Sequence, residues 1–294
     1  MFKCNRDCNL SKSLFSVNEF ENARKQYPNY DVVTVEMIKH KGNRVKIGCR
    51  AIIFSPVGNQ GDFWTTRGEQ LRIPKVAIVG FSTSEEAMKD YYDMRKNVDI
   101  DTAARKAAFG GSKQLRENLK RIANFLNLNE YIGSDFKIDE MFDSSQKDIF
   151  YTQIVKCCSI GKVNGDFSNS SAIYPNLVEA NIREKYLNYS GHRKCIENVF
   201  MREMSFSESI PVILIFKPAW ENLSKMNLLP KLKKKGKIID WLPHPSNPGP
   251  DVYKLLKCYK NGDNFMKYNW KKSAKQLIMM KEKIKEIIGR KTRI

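Results

Sequence analysis

Long apolar runs are missing from this chain of 294 residues: the longest uncharged one, Ile210 to Phe216, falls far short of the roughly 20 residues that a membrane-spanning helix needs. A charged-then-apolar leader is missing too, so the expectation is a soluble, unexported, cytoplasmic protein that makes no membrane contact, nucleoid-associated if bacterial. Acidic residues are few beside basic ones, 32 Asp+Glu against 51 Lys+Arg, and histidine is rarer still at 3 residues. The cysteines number 7, and an odd count without a leader argues against a disulfide framework and for reduced thiols able to bind metal. Gly80 to Ser84 lacks both the Gly-x-Gly-x-x-Gly pattern and the P-loop lysine, which argues against a phosphate-binding nucleotide enzyme.

What is present describes a folded, strongly cationic protein. Hydrophobic residues make up 41% and charged residues 28%, with a mean hydropathy of -0.50, a balance that buries a core beneath a well-solvated surface. The formal net charge of +19 seeks a polyanion. Nucleic acid is the leading partner, because a cationic surface releases the counterions condensed on phosphates; acidic membranes attract by the same charge.

Periodicity divides the chain into an N-terminal extension (1–74), an α/β core (75–260) and a basic C-terminal helix (261–294). In the extension, 17–26 reads as a short helix, and Asp31 to Met37 with Arg44 to Phe54 as a hairpin across Lys41-Gly42-Asn43. In the core, Val76 to Val79, Ile149 to Val155, Val212 to Phe216 and Lys237 to Asp240 read as buried strands. Helix candidates lie at 85–97, 112–127, 192–204 and 219–227. The alternation predicts an α/β three-layer sandwich with a central, mostly parallel four-stranded sheet flanked by helices. Residues 160–176, rich in Gly, Asn and Ser, read as a long loop. A final helix over 266–289 places Trp270, Ala274, Leu277, Ile284 and Ile288 on one stripe, with lysines mostly elsewhere; it suits docking on the core, and phosphate contact remains open to it.

Ligands of parallel sheets sit at the carboxyl ends of strands, and four segments there carry chemistry. They are Gly80-Phe81-Ser82-Thr83-Ser84, Gln153-Ile154-Val155-Lys156-Cys157, Phe216-Lys217-Pro218-Ala219-Trp220 and Leu242-Pro243-His244-Pro245-Ser246. In this order they resemble the uracil-DNA glycosylase superfamily across about residues 75–260, and most closely its iron-sulfur branch. Cys4-Asn5-Arg6-Asp7-Cys8-Asn9-Leu10-Ser11-Lys12 is similar to that branch's N-terminal cysteine segment, with one more residue between the cysteines. Cys157 after Val155-Lys156 and Cys195 ahead of a strand match its third and fourth cysteines.

The resemblance implies a [4Fe-4S] cluster held by Cys4, Cys8, Cys157 and Cys195, a soft donor set; zinc is the chemical alternative, and cysteines without a metal the bland one. It implies that His244 donates a hydrogen bond to the departing base, and that Phe109, in Ala108-Phe109-Gly110-Gly111, stacks on it. Gly80 and Phe81 would border the base and Gln153 read its edge. The family acid expected after the first-motif glycine is replaced by Phe81, which leaves Ser82, Ser84 and Glu85 as candidates to orient water. Gln153 stands where the family uses an Asn to read uracil, so a modified or damaged pyrimidine, such as a modified cytosine, is the expected substrate. The tract Lys233, Lys234, Lys235, together with Ser246, is expected along the DNA backbone. The expected protein is therefore a monomeric DNA glycosylase that leaves an abasic site, serving DNA repair or antiviral defence; the rival is a catalytically silent DNA-binding protein on the same fold.

Overall fold

The computed structural model describes residues 36–40, 43–54, 74–82, 96–110, 113–143, 145–155, 157–163, 166–169, 195–201, 210–233 and 237–291, with isolated positions at 87, 90, 93, 94 and 204. The helix expected at 17–26 and most of that at 85–97 lie outside them. The described strands are β1 (Glu36–His40), β2 (Asn43–Phe54), β3 (Val76–Ser82), β4 (Ile149–Val155), β5 (Cys157–Val163), β6 (Asp166–Asn169), β7 (Val212–Phe216) and β8 (Ile238–Leu242). The described helices are α1 (Ile100–Ala107), α2 (Lys113–Phe125), α3 (Leu128–Ile132), α4 (Lys217–Lys225), α5 (Leu229–Leu232), α6 (Pro250–Lys260) and α7 (Lys272–Lys291). The chain forms two compact units, one from Met1–Leu71, Phe81–Gly111 and Thr152–Ser207, the other from Arg72–Gly80, Ser112–Tyr151 and Glu208–Ile294.

The fold class is α/β, with a four-stranded, all-parallel sheet in the order β4-β3-β7-β8. Val76–Val79, β7 and β8 are continuous apolar runs broken only by Asp240, and every residue in them is buried. Strands buried on both faces need cover on both, which is why these runs do not alternate. β7 pairs with β3 from Val76↔Val212 to Val79↔Ile215, and with β8 from Val212↔Ile238 to Phe216↔Leu242. The carbonyl of Asp148 accepts from the amides of Lys75 and Val76, bringing β4 alongside the start of β3.

Helix α4 packs on β7 and β8, and α7 on β8. Ala274, Leu277, Met280 and Ile284 of α7 are all fully buried, each larger side chain contributing about 1.5–3 kcal/mol. Docking is therefore this helix's fate; Lys272, Lys275 and Lys285 stay exposed, while Lys281 turns inward to the carbonyl of Phe125 and the side chain of Asn127. The helix begins at Lys272, later than expected; Trp270 precedes it, is buried, and donates its indole N–H to the carbonyl of Phe265 (2.7 Å). Among the described residues the buried acid of the sheet is Asp240, and it ties α7 to β8, accepting from Gln276 Nε2 (2.5 Å) and from Lys283 Nζ (2.6 Å).

In the other unit, an antiparallel sheet runs β1-β2-β5-β6. The expected N-terminal hairpin is present, closing at His40↔Asn43, with β1 starting at Glu36; residues 31–35 of its expected first strand are outside the described ones. The long loop expected at 160–176 is corrected over its first half. β5 and β6 pair there, from Ile160↔Asn169 to Val163↔Asp166. The two residues between the paired strands are Asn164-Gly165, a dipeptide favoured in two-residue hairpin links, which accounts for part of the Gly and Asn richness. The helix expected at 192–204 is, where described, a π-helical turn over Cys195–Phe200, with Met201 and Met204 helical beyond it. The strand expected at Lys237 to Asp240 runs from Ile238 to Leu242.

Candidate active site

The strand order fixes where a ligand crevice belongs. Leaving β3, the chain goes to β4 on one side; leaving β7, it goes to β8 on the other, so the outgoing connections diverge between β3 and β7. Open parallel sheets bind ligands outside their carboxyl ends at such a switch point. The register places Gly80 one residue past Val79↔Ile215, level with Phe216↔Leu242. Three of the four chemical segments therefore begin at one edge. They are not all post-strand loops: Gly80, Phe81 and Ser82 lie within β3, and Gln153 to Val155 within β4.

After Leu242 the chain enters Pro243-His244-Pro245-Ser246-Asn247-Pro248-Gly249-Pro250, where alternate prolines fix φ and remove much of the freedom a loop would otherwise lose. The carbonyl of His244 accepts from the amide of Asn247 (3.1 Å). Gly249, at φ +93°, turns the chain into α6, a conformation that side chains resist even though a β-carbon there would meet nothing within 4 Å. His244 is half-buried, its ring edge-on to that of Phe216 with centroids 5.4 Å apart at 67°. The contact stands the imidazole over the end of β7, at the switch point.

The protonation state of the ring follows from its partners. The backbone N–H of Ser246 donates to Nδ1 (3.3 Å), and the Ser246 hydroxyl lies 2.6 Å from the same nitrogen. An amide N–H can only donate, so Nδ1 is an acceptor and the proton of the neutral ring sits on Nε2. Burial lowers the pKa of His244 from 6.5 to about 4. At neutral pH the site thus holds a neutral imidazole with a fixed Nε2–H donor.

A residue outside the motifs braces this loop. Asn118, fully buried on α2, donates through Nδ2 to the carbonyl of Pro245 (2.7 Å) and to the hydroxyl of Tyr253 (3.0 Å), while its Oδ1 accepts from Gln114 Nε2 (3.0 Å). Its sequence signal is a polar residue on the apolar stripe of α2, beside Leu119 and Ile122, a place where a buried amide needs a specific partner.

The other candidates are distributed as follows. Ser246, expected at the DNA backbone, is exposed, and its hydroxyl is engaged with His244. Lys233 is exposed with its ammonium 5.5 Å from the Trp220 ring; Lys234 and Lys235 lie outside the described residues, as do Ser84 and Glu85. Ser82 ends β3, and Phe81 is half-buried in it. Phe109 is 7% exposed and has φ +52°, which costs an aromatic residue of order 1–3 kcal/mol and is found where surroundings or function demand it. Gln153, the fifth residue of β4 as Gly80 is of β3, is 3% exposed, and its Oε1 has no hydrogen-bond partner among the described residues. Buried amide oxygens are seldom left so, and a ligand N–H would complete it.

Of the candidate metal ligands, Cys4 and Cys8 lie outside the described residues. The backbone of Cys157 opens β5 opposite Phe54, and that of Cys195 opens the π-helical turn, both in the same unit. Among the described residues, no group of three or more His, Cys, Asp or Glu is placed to hold a metal ion, and no helix is long and apolar enough to cross a membrane. No family model, curated protein or solved structure matches the chain.

Proposed function

We propose that the protein is a DNA glycosylase that extrudes a modified or damaged pyrimidine and hydrolyses its bond to deoxyribose. The observation that carries this reading is His244: a neutral imidazole, set against Phe216 at the switch point, with Nδ1 occupied by Ser246 and Nε2–H left to donate. Breaking an N-glycosidic bond sends the bonding electron pair into the base and leaves positive charge on the sugar. A donor at the base carbonyl lowers the energy of that charge where it develops, and a donor held in place beforehand needs no reorganisation to do so. Water adds its oxygen to the sugar C1′, one water proton goes to the departing base, and an abasic site remains. Ser82, Ser84 and Glu85 are the residues proposed to orient that water. Phe109 replaces the stacking that the extruded base has lost. Gln153 Oε1 accepts from the base edge, which favours a base with an exocyclic amine, such as a modified cytosine. Lys233, Lys234 and Lys235 meet phosphates.

The proposed cofactor is a [4Fe-4S] cluster on Cys4, Cys8, Cys157 and Cys195, a structural group that ties these segments together. The purified protein is expected to be brown, with the colour lost in Cys157→Ser or Cys195→Ser; a colourless protein carrying stoichiometric zinc rejects the cluster. The reaction itself is tested by incubating the protein with DNAs bearing different modified pyrimidines, then cleaving with alkali and identifying the released base. Breaks at one base class support hydrolysis. DNA binding without any breaks favours the silent DNA-binding protein, the reading to which Phe81, in the place of an acid, lends weight.

A further inference from the structure

Beside the His244 loop lies a surface that the proposed reaction does not use. Tyr253 and Lys254 are exposed on the first half of α6, and Tyr268, 44% exposed, comes back against Lys254. The ammonium of Lys254 stands 4.8 Å from the centre of the Tyr268 ring and 5.9 Å from that of Trp270, and the two rings are themselves 5.3 Å apart. The amide of Lys271 donates to Asp251 Oδ2 (3.0 Å), which fastens this segment to the first turn of α6. Tyr253 is in turn tied to the loop, because the Asn118 nitrogen that donates to its hydroxyl also donates to the carbonyl of Pro245. Along the same stretch of chain as the two tyrosines, 251–272, Lys254, Lys257, Lys260, Lys267, Lys271 and Lys272 are all exposed, and the only acids are Asp251 and Asp263.

Lone exposed tyrosines need no explanation, and neither do exposed lysines. Their interleaving on a braced surface does, since aromatic faces ringed by ammonium groups match a polymer that alternates stackable bases with phosphates. In a duplex the base faces are already occupied by their neighbours, so exposed rings gain little from it. The geometry points to a platform for single-stranded DNA, on which Tyr253 and Tyr268 stack unpaired bases while the lysines meet the phosphates between them. The inference deepens the glycosylase reading by naming the strand state of the flanking DNA, and it rests on that reading only for its link to His244.

The test is fluorescence anisotropy at one fixed salt concentration, using labelled oligothymidine of about 12 nucleotides and the same strand paired with oligoadenine, a length within the range that single-strand sites cover. The protein is expected to bind the single strand more tightly than the duplex. The double variant Tyr253→Ala, Tyr268→Ala should weaken single-strand binding by roughly 5- to 100-fold and duplex binding by less than about twofold, the scale of losing base stacking. The double variant Tyr253→Phe, Tyr268→Phe should bind as the parent does. Tyr268→Leu keeps apolar packing on Trp270, which guards against misfolding, and should still lose affinity for the single strand. Equal loss for both DNAs, no loss, or parent-like binding by Tyr268→Leu overturns the platform, as does tyrosine-dependent binding to phosphatidylserine vesicles in place of oligothymidine. If no modified base is ever released while tyrosine-dependent single-strand binding persists, the glycosylase reading falls and the platform stands.

Discussion

In His244→Ala, base release should fall by roughly 10²-fold or more while DNA binding stays within about twofold of the parent, because one transition-state donor is lost and no phosphate contact is touched. The variant removes an imidazole half-buried against Phe216, so a melting curve must accompany it. The pH profile separates this role from acid catalysis by an imidazolium. Burial holds the pKa of His244 at about 4, and Ser246 keeps its Nδ1 unprotonated, so the His244-dependent rate should stay level as pH falls from about 8 to about 5. An imidazolium acid with the ordinary pKa near 6.5 would instead give a rate that climbs as pH falls through that value. Full activity in His244→Ala, or a climb of that kind, would remove His244 from the role. Stability carries the same sign. Since the unfolded chain binds the proton more readily between pH 6.5 and about 4, the contribution of the buried neutral ring is intact above 6.5 and is lost as pH falls through about 4.

The parts of this fold that the sequence announces are those set by short-range pattern. β4 and β7 run over the residues their apolar character marks, and the whole sheet follows from the strand-helix alternation, because a strand with no polar face has to be covered on both sides. What the sequence hides is pairing at a distance. Asp166 to Asn169 is too short and too polar to read as a strand; it becomes one by lying against Ile160 to Val163, of which Ile160 to Lys162 pair in turn with β2. Asn118 stands out as a polar residue on an apolar stripe, but its partner, the turn at Pro245, is set by packing at a distance. Gln276 likewise seems a solvated residue of a basic helix, but it is buried against Asp240. The motif around His244 was legible because prolines and a lone histidine are rare enough to stand out. The tautomer was not, since it depends on the Ser246 amide folding back onto Nδ1.

Gln153 gives the second large effect, in choice of base. A site built to hydrogen-bond one edge rejects a base with the wrong edge by far more than a methylene's worth of packing, since buried polar groups are then left unpaired. Gln153→Asn withdraws the amide from the base by one methylene and should change the preference between a modified cytosine and uracil by roughly 10²-fold or more, in the direction of uracil. Gln153→Met nearly preserves the volume and deletes the amide, and there stability and function should move in opposite directions. With Oε1 buried and unpartnered among the described residues, the native side chain carries an uncompensated desolvation cost of about 1–3 kcal/mol, so an apolar replacement should leave the melting temperature unchanged or raise it while discrimination between bases collapses. An amide that merely supported β4 would behave otherwise: Gln153→Met would lower the melting temperature, and both variants would change the rate equally for every base.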